Sequence, residues 1–194
     1  MSNPESKSPV LISQDYKQLN NQLHETNSSY GTSGKHYGGM VLGLIQAMGG
    51  TATVLDYGCG KQTLANSLPM IPVTGYDPCL PGLDARPEPH ELVVCTDVME
   101  HIEPVFLDNV LDDLERVTEK VLFCLVATRP AVKKLADGRN AHLIVEDYMW
   151  WLPKFADRFV VDNFQNLDNG AFMVTCSKKP GVIEIPERKI EVVS

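Results

Sequence analysis

Nowhere in this chain does an apolar run reach the roughly 18 residues that a membrane-crossing helix needs. Positive charge is not in excess either. Against 25 Asp and Glu stand only 17 Lys and Arg, giving a net charge of −8 and a pI near 5.1. That balance offers no general attraction to nucleic acid or to an anionic membrane, and leaves only a local basic groove as a route to either. Metal-ribbon and disulfide frameworks are also missing. The five cysteines, at 59, 79, 95, 124 and 176, form no CxxC pair, and Cys95 and Cys124 fall inside apolar strand-like runs, so all five read as reduced structural thiols. Internal repeats and low-complexity segments are absent. The opening residues MSNPESKSPV lack the cationic segment and apolar run of a secretory leader, and a soluble cytoplasmic protein without membrane partners is expected.

What is there suits one domain with a tail: 194 residues, 43% of them hydrophobic. Residues 1–9 are polar and proline-bearing, with nothing to bury, and are expected to be disordered. Residues 10–50 read as a helical lid or flanking layer. A helix over 10–26 would carry Leu11, Tyr16, Leu19 and Leu23 on one side, the glycine-rich loop YGTSGKHYGG follows, and MVLGLIQAM makes a short apolar helix. From 51 to 178 short apolar runs alternate with helical patterns. TVLDY, VTGY, LVVCT and VLFCLVA are apolar on both faces, and between the last two VFLDNVLDDLERVTE has helical spacing. Such strands indicate an α/β fold with a doubly wound, mostly parallel sheet. A helix over 146–156 is expected to break or bend at Pro153, and RFVVDNF and AFMVTCS, joined by an Asp-Asn-Gly turn, form a C-terminal antiparallel strand pair. The tail 179–194 alternates apolar and charged residues, and either adds an edge strand, pairs two subunits as a homodimer, or stays disordered.

The chemistry begins at VLDYGCGKQT, residues 54–63. A glycine loop between strand and helix normally offers N–H groups to an anion, yet Asp56 stands just two residues before Gly58, the first of the loop's two glycines, and would repel one. The dinucleotide fingerprint also fails, because Thr63 occupies the position of its third glycine. A ligand that joins an ammonium-bearing zwitterion to an adenosine suits the stretch better. Asp56 would anchor the ammonium network, the two glycines would admit the backbone closely, and Asp77, about twenty residues on in GYDP, would accept from the ribose hydroxyls. Taken alone, an aspartate before a proline is equally a turn starter.

At this point the chain resembles the class I S-adenosylmethionine-dependent methyltransferases. VLDYGCG matches their first motif, GYDP their ribose-binding acidic position, and LVVCTDVMEHI their strand and helix start ending in glutamate and histidine. The resemblance spans about residues 51–178 and implies a Rossmann-like methyltransferase fold with S-adenosyl-L-methionine as cofactor. The cofactor contacts it implies are Asp56, Gly58, Cys59, Gly60, Asp77, Pro78, Thr96 and Asp97. Tyr30 and Lys35 of the front loop, with His36 and Tyr37, would close over the site, Lys35 meeting the methionine carboxylate; a solvated loop is the alternative. One departure stands out. Only fourteen residues, Pro78 to Glu91, replace the helix and third strand in which the family carries an adenine-contacting acid, and Asp84 is the substitute in reach.

Asp97, Glu100 and His101 have the i, i+3, i+4 spacing that places three side chains near one helix face, and His142 follows the next strand. The set resembles the Glu-x-x-Glu-His plus later His that binds a divalent ion in small-RNA 2′-O-methyltransferases and certain polyprenyl-catechol O-methyltransferases, with Asp97 replacing the first glutamate. Three readings stay open: a divalent metal held by Asp97, Glu100, His101 and His142; metal-free catalysis by His101, His142 and Glu100 with an imidazole as general base; or, as in metal-free relatives, an acid that caps backbone and a histidine that packs beside the cofactor. Arg129, Arg139 and Asn140 flank the same end of the sheet. The implied reaction is methyl transfer to an oxygen or nitrogen of a small molecule. RNA remains open as a substrate, whereas CTDVME lacks the proline-flanked Asn or Asp motif of amino-group DNA methyltransferases and makes DNA disfavoured. Two alternatives from other classes are a non-catalytic S-adenosylmethionine sensor or partner subunit, and an enzyme that cleaves the sulfonium on the same scaffold.

Overall fold

The computed structural model describes residues 9–180. The expected disorder of residues 1–8 and the pairing role of the tail beyond residue 180 lie outside that range. In chain order the elements are α1 (Gln14–Thr26), α2 (Gly38–Ala47), β1 (Val54–Tyr57), α3 (Thr63–Ser67), β2 (Val73–Tyr76), β3 (His90–Thr96), α4 (Leu107–Val117), β4 (Thr118–Ala127), α5 (Tyr148–Ala156), β5 (Phe159–Leu167) and β6 (Ala171–Lys178). They build one six-stranded sheet of order β2-β1-β3-β4-β6-β5. The first four strands run parallel, and β6 enters antiparallel between β4 and β5. The α/β doubly wound architecture with its terminal antiparallel pair is therefore the observed one.

Strand alternation explains how both faces are covered. Leu55, Tyr57, Val93 and Cys95 point into a core with α4 and α5, while Val54, Leu92 and Val94 point into a second core with Val41 and Ile45 of α2 and Leu64 of α3. The hairpin closes as the Asp-Asn-Gly turn suggests, with Leu167 opposite Ala171 and Gly170 at φ 74, where glycine is unstrained.

Four expectations change. First, α1 begins at Gln14, because Ser13 is its N-cap and accepts from the Tyr16 N–H. Its buried face is Tyr16, Asn20 and His24, with Leu19 and Leu23 only partly covered. Second, Pro153 does not break α5, which runs on to Ala156. Third, no α-helix starts at Asp97. Asp97 takes φ 55 and Met99–His101 form a single 3₁₀ turn, so the helical spacing that grouped Asp97 with Glu100 and His101 does not apply. Fourth, Asp84 pairs with Lys17 of α1 at 2.9 Å and is not in the wall of the cavity at the carboxyl ends of the strands, where an adenine contact would have to stand.

The short segment after β2 is held without secondary structure of its own. Buried Asp113 of α4 accepts from Arg86, from Arg116 Nε at 2.9 Å and from the Tyr57 hydroxyl at 3.0 Å. Arg116 also donates to the Pro87 carbonyl at 3.1 Å. Side-chain bonds to one carboxylate thus replace the missing helix and strand as the anchor of this edge.

Candidate functional site

A cavity of about 350 Å³ opens at the carboxyl ends of the parallel strands, beside β1, whose two neighbours are reached in opposite directions. In open α/β sheets such a reversal leaves a crevice that loops can line. Here the lining comes from the turns after β1, β2, β3 and β4, and the roof from α1 and the loop that follows it.

The glycine loop is compact and internally bonded. Gly58 and Gly60 have φ 80 and φ 48. A Cβ at Gly58 would run into the Val98 methyls, and one at Gly60 would sit 2.7 Å from the Gly31 carbonyl. The loop's N–H groups all find partners within the chain. Gly58 and Cys59 donate to the Tyr76 carbonyl at 2.7 and 3.0 Å, Gly60 to Asp77 Oδ2 at 3.1 Å, Lys61 to the Gly31 carbonyl at 2.9 Å and Gln62 to the Cys59 carbonyl at 2.8 Å. Asp77 braces this turn, taking the Cys79 N–H on its other oxygen at 2.9 Å. A phosphate cradle needs those N–H groups free, so the loop is not one.

The carboxylate of Asp56 faces the same space. It is 4% exposed and lines the cavity. Burial, and then the neighbouring Asp77 carboxylate, push its pKa up to about 7. Among the described residues no basic group offsets this, so the site favours a cationic ligand, which is the converse of an anion-binding loop.

In the roof, Asn20 and His24 are what sequence patterning missed. Ser13 docks the start of α1 by donating its N–H and hydroxyl to the Glu103 carboxylate, both at 2.7 Å. Tyr16 then donates to the His101 carbonyl at 2.7 Å, and Asn20 accepts from the Tyr30 hydroxyl at 2.9 Å. His24 packs edge-on to the Tyr30 ring, 4.6 Å between centroids, with its buried Nδ1 unpartnered. Burial holds the His24 imidazole below its usual range and raises the Tyr30 phenol. The signal that would have found this face is the i, i+4, i+8 spacing of Tyr16, Asn20 and His24, which the nearby leucines outweigh in any count of apolar periodicity. Lys61 fastens the next loop by donating Nζ to the carbonyls of Asn27 and Tyr30 at 2.7 and 3.1 Å.

On the far wall, β3 delivers Thr96 and the turn after it presents Asp97, Val98 and His101. Glu100 lies behind this surface with no exposure. Its Oε1 accepts the Ala127 N–H at 3.1 Å and its Oε2 has no partner. Burial first, then the Asp97 carboxylate, push Glu100 up to about 8, and burial also raises Asp97. The Glu100 main-chain carbonyl takes the Leu143 and Ile144 N–H groups at 2.8 and 3.0 Å, which draws the loop bearing His142 against it. His101 Nδ1 bonds the Ala141 carbonyl at 2.7 Å, His142 Nδ1 the Arg129 carbonyl at 2.6 Å, and the two rings lie 4.8 Å apart. Burial and the His142 ring lower His101 to about 3.

Of the residues singled out in the sequence, Tyr30, Asp56, Gly58, Cys59, Gly60 and Asp77 share the cavity wall. So do Pro78, Thr96, Asp97, His101 and His142. Lys35 stands off it, its N–H bonded to Thr63 Oγ1 at 3.2 Å. Arg129 lines the cavity from the turn after β4, and Lys133, which patterning did not pick out, joins it there with Nζ 5.5 Å from the Tyr30 ring centre. Glu100, His101 and His142 bring their ligand atoms within 4.8 Å of one another, and Asp97 is not part of that group.

No protein-family model and no curated protein sequence matches the chain. Solved structures match in fold. One is the Burkholderia thailandensis 1,6-didemethyltoxoflavin-N1-methyltransferase with 1,6-didemethyltoxoflavin and S-adenosylhomocysteine bound, at TM-score 0.63 and 12% identity over 92% of this chain and 99% of that one. Another is the magnesium protoporphyrin IX methyltransferase of Synechocystis with S-adenosylmethionine bound, at TM-score 0.60 and 13% identity over 88% and 100%. A third is the N-methyltransferase NodS of Bradyrhizobium japonicum with S-adenosylhomocysteine, at TM-score 0.59 and 12% identity over 86% and 100%.

Proposed function

We propose that this chain, which has the fold of the class I S-adenosylmethionine-dependent methyltransferases, binds S-adenosylmethionine in the cavity and passes its methyl group to an oxygen or nitrogen of a small molecule. The observation that carries the reading is the polarity of the glycine loop: its N–H groups are consumed within the chain while the buried Asp56 carboxylate is left facing the cavity. Such a seat selects a cation over a phosphate, and S-adenosylmethionine brings both an ammonium and a sulfonium. The structural neighbours that hold this ligand or its demethylated product support the same choice.

The sulfonium supplies an activated methyl, so the work left to the protein is to bind, align and dry the site. Asp56 receives the amino-acid end, with Gly58 and Gly60 letting it come close. Asp77, already fixed by two N–H groups, keeps lone pairs for the ribose diol. Ile102, Val110 and Leu11 offer apolar surface to a planar base. Tyr16, Asn20, His24 and Tyr30 roof the cavity and keep water away from the transfer path. His101 and His142 stand on the opposite wall, where an acceptor would enter.

Calorimetry with S-adenosylmethionine, together with methyl-labelled donor in a cell extract, tests the reading. Binding that Asp56→Ala and Asp77→Ala each weaken at least about tenfold, with label passing to a small-molecule fraction, is the expected result. Wild-type affinity in both variants would sink the cofactor assignment. Release of methylthioadenosine would point to sulfonium cleavage, and binding without turnover to a sensor.

A further inference from the structure

We infer that the methyl acceptor is an anionic small molecule, whose carboxylate or phosphate is bound by Arg129 and Lys133 in the turn after β4. This rests on the methyl-transfer reading and adds to it the charge of the substrate. Unpaired arginines are not the habit of this chain. Arg86, Arg116, Arg139 and Arg158 each pair with an aspartate. Arg129, the fifth arginine among the described residues, is the one that lines the cavity, and no carboxylate there stands within ion-pair distance of it. With 25 acids to 17 bases in the sequence, a shortage of partners does not explain this. Burial raises Asp97 on the same wall, and Arg129 opposes that rise from a distance without pairing.

The arm of Arg129 is fixed although its head is not. A Cβ at Gly170 would stand 3.2 Å from Arg129 Cδ, and the Thr128 N–H donates to the Gly170 carbonyl at 2.9 Å, so the β5–β6 turn braces the stem. The Arg129 carbonyl accepts from His142 Nδ1 at 2.6 Å, which sets the guanidinium's base beside an imidazole of the acceptor wall. Four residues on, Lys133 lines the same cavity and rests Nζ on the Ser29 carbonyl at 3.3 Å, again with no carboxylate partner among the described residues. An ammonium has three donors, so two remain for a ligand.

The order of the strands assigns this end of the cavity to the acceptor. Asp77 follows β2 and Asp56 ends β1, so the donor spans those two positions, whereas Arg129 follows β4. Three strand spacings, roughly 14 Å, separate the β2 and β4 positions, with β3 between β1 and β4. Buried carboxylates thus stand at the donor end and two cations at the other. A guanidinium presents a planar fork that matches a carboxylate or a phosphate. Pro130, Ala131 and Val132, between the two cations, also line the cavity and offer apolar surface to the acceptor's body. The competing occupant is the donor's own carboxylate, which would have to reach across to β4.

The test uses the full chain, methyl-labelled S-adenosylmethionine and a small-molecule extract divided beforehand on an anion-exchange resin. Label is expected to pass to the retained, anionic pool. Arg129→Gln, with an unchanged circular dichroism spectrum, should lower that labelling at least about tenfold, and Arg129→Lys and Lys133→Met by less. S-adenosylhomocysteine affinity in calorimetry should stay within about twofold of wild type in all three. Labelling of the unretained pool alone, or equal labelling by wild type and Arg129→Gln, overturns the inference and leaves the methyl-transfer reading standing. A loss of about tenfold in S-adenosylhomocysteine affinity in Arg129→Gln also overturns it, by giving the arginine to the donor's carboxylate. A wild type that passes label to neither pool refutes the methyl-transfer reading, and the inference with it.

Discussion

Asp56 shows what the site costs the fold. Its pKa rises from 3.8 to about 7 on folding, so between those values the native state holds a proton that the unfolded chain has released. Stability contributed by this group is therefore full at low pH and falls as pH climbs from about 4 through 7. Asp56→Asn removes that loss, and at pH 8 it should stabilise the ligand-free protein by about 1 kcal/mol or more in urea unfolding, while weakening S-adenosylmethionine. Ligand binding has the opposite sign. A cation prefers the ionised carboxylate, so affinity should rise with pH up to about 7 and then level off. Calorimetry near pH 6 in buffers of different ionisation enthalpy should register proton release on binding. Asp56 was legible in the sequence because its meaning is local: a carboxylate two residues before the first glycine of a strand-to-helix turn. Asp97 was misgrouped for a complementary reason, since helical spacing assumes a helix and its left-handed backbone ends the assumption at the first residue.

Among the elements, the strands were readable and the roof only in part. TVLDY, LVVCT and VLFCLVA were recovered to within a few residues, because a strand buried on both faces must be continuously apolar, and VTGY was recovered at its observed limits although it is a partly exposed edge strand. The α1 helix obeys a different rule, turning Tyr16, Asn20 and His24 toward the cavity, so apolar periodicity alone reads its face wrongly. The loop behind it depends on Lys61, whose ammonium spans the carbonyls of Asn27 and Tyr30. Lys61→Met should leave the sheet intact but free this segment. Hydrogen exchange over residues 27–34 should quicken while that of β3 and β4 stays unchanged, and S-adenosylmethionine should bind several-fold more weakly. Equal protection in both proteins would show that the loop stands without the lysine.

At the scale of the molecule, two cores share one sheet, and its β2 edge is secured by a single buried carboxylate. Asp113 collects the Tyr57 hydroxyl, Arg86 and Arg116 from three separate parts of the chain. No local pattern announces such a hub, since an acid inside an amphipathic helix ordinarily marks the solvent face. Asp113→Ala would strand the tyrosine hydroxyl and two guanidinium groups. Both arginines keep some solvent contact, so the loss should be about 2 to 3 kcal/mol in urea unfolding, below the full cost of breaking a buried pair. A change under about 0.5 kcal/mol would mean that the edge is held by its apolar contacts instead.

The roof has a kinetic consequence as well. Gly31 rests on Gly60, Tyr16 is tied to the carbonyl of His101, and the cavity lies beneath both. A spent ligand the size of a nucleoside joined to an amino acid has to part these contacts before it can depart. Residence time would then be set by the unlatching of α1 and its loop, and turnover under the proposed methyl-transfer reading by an exit step with no chemistry in it.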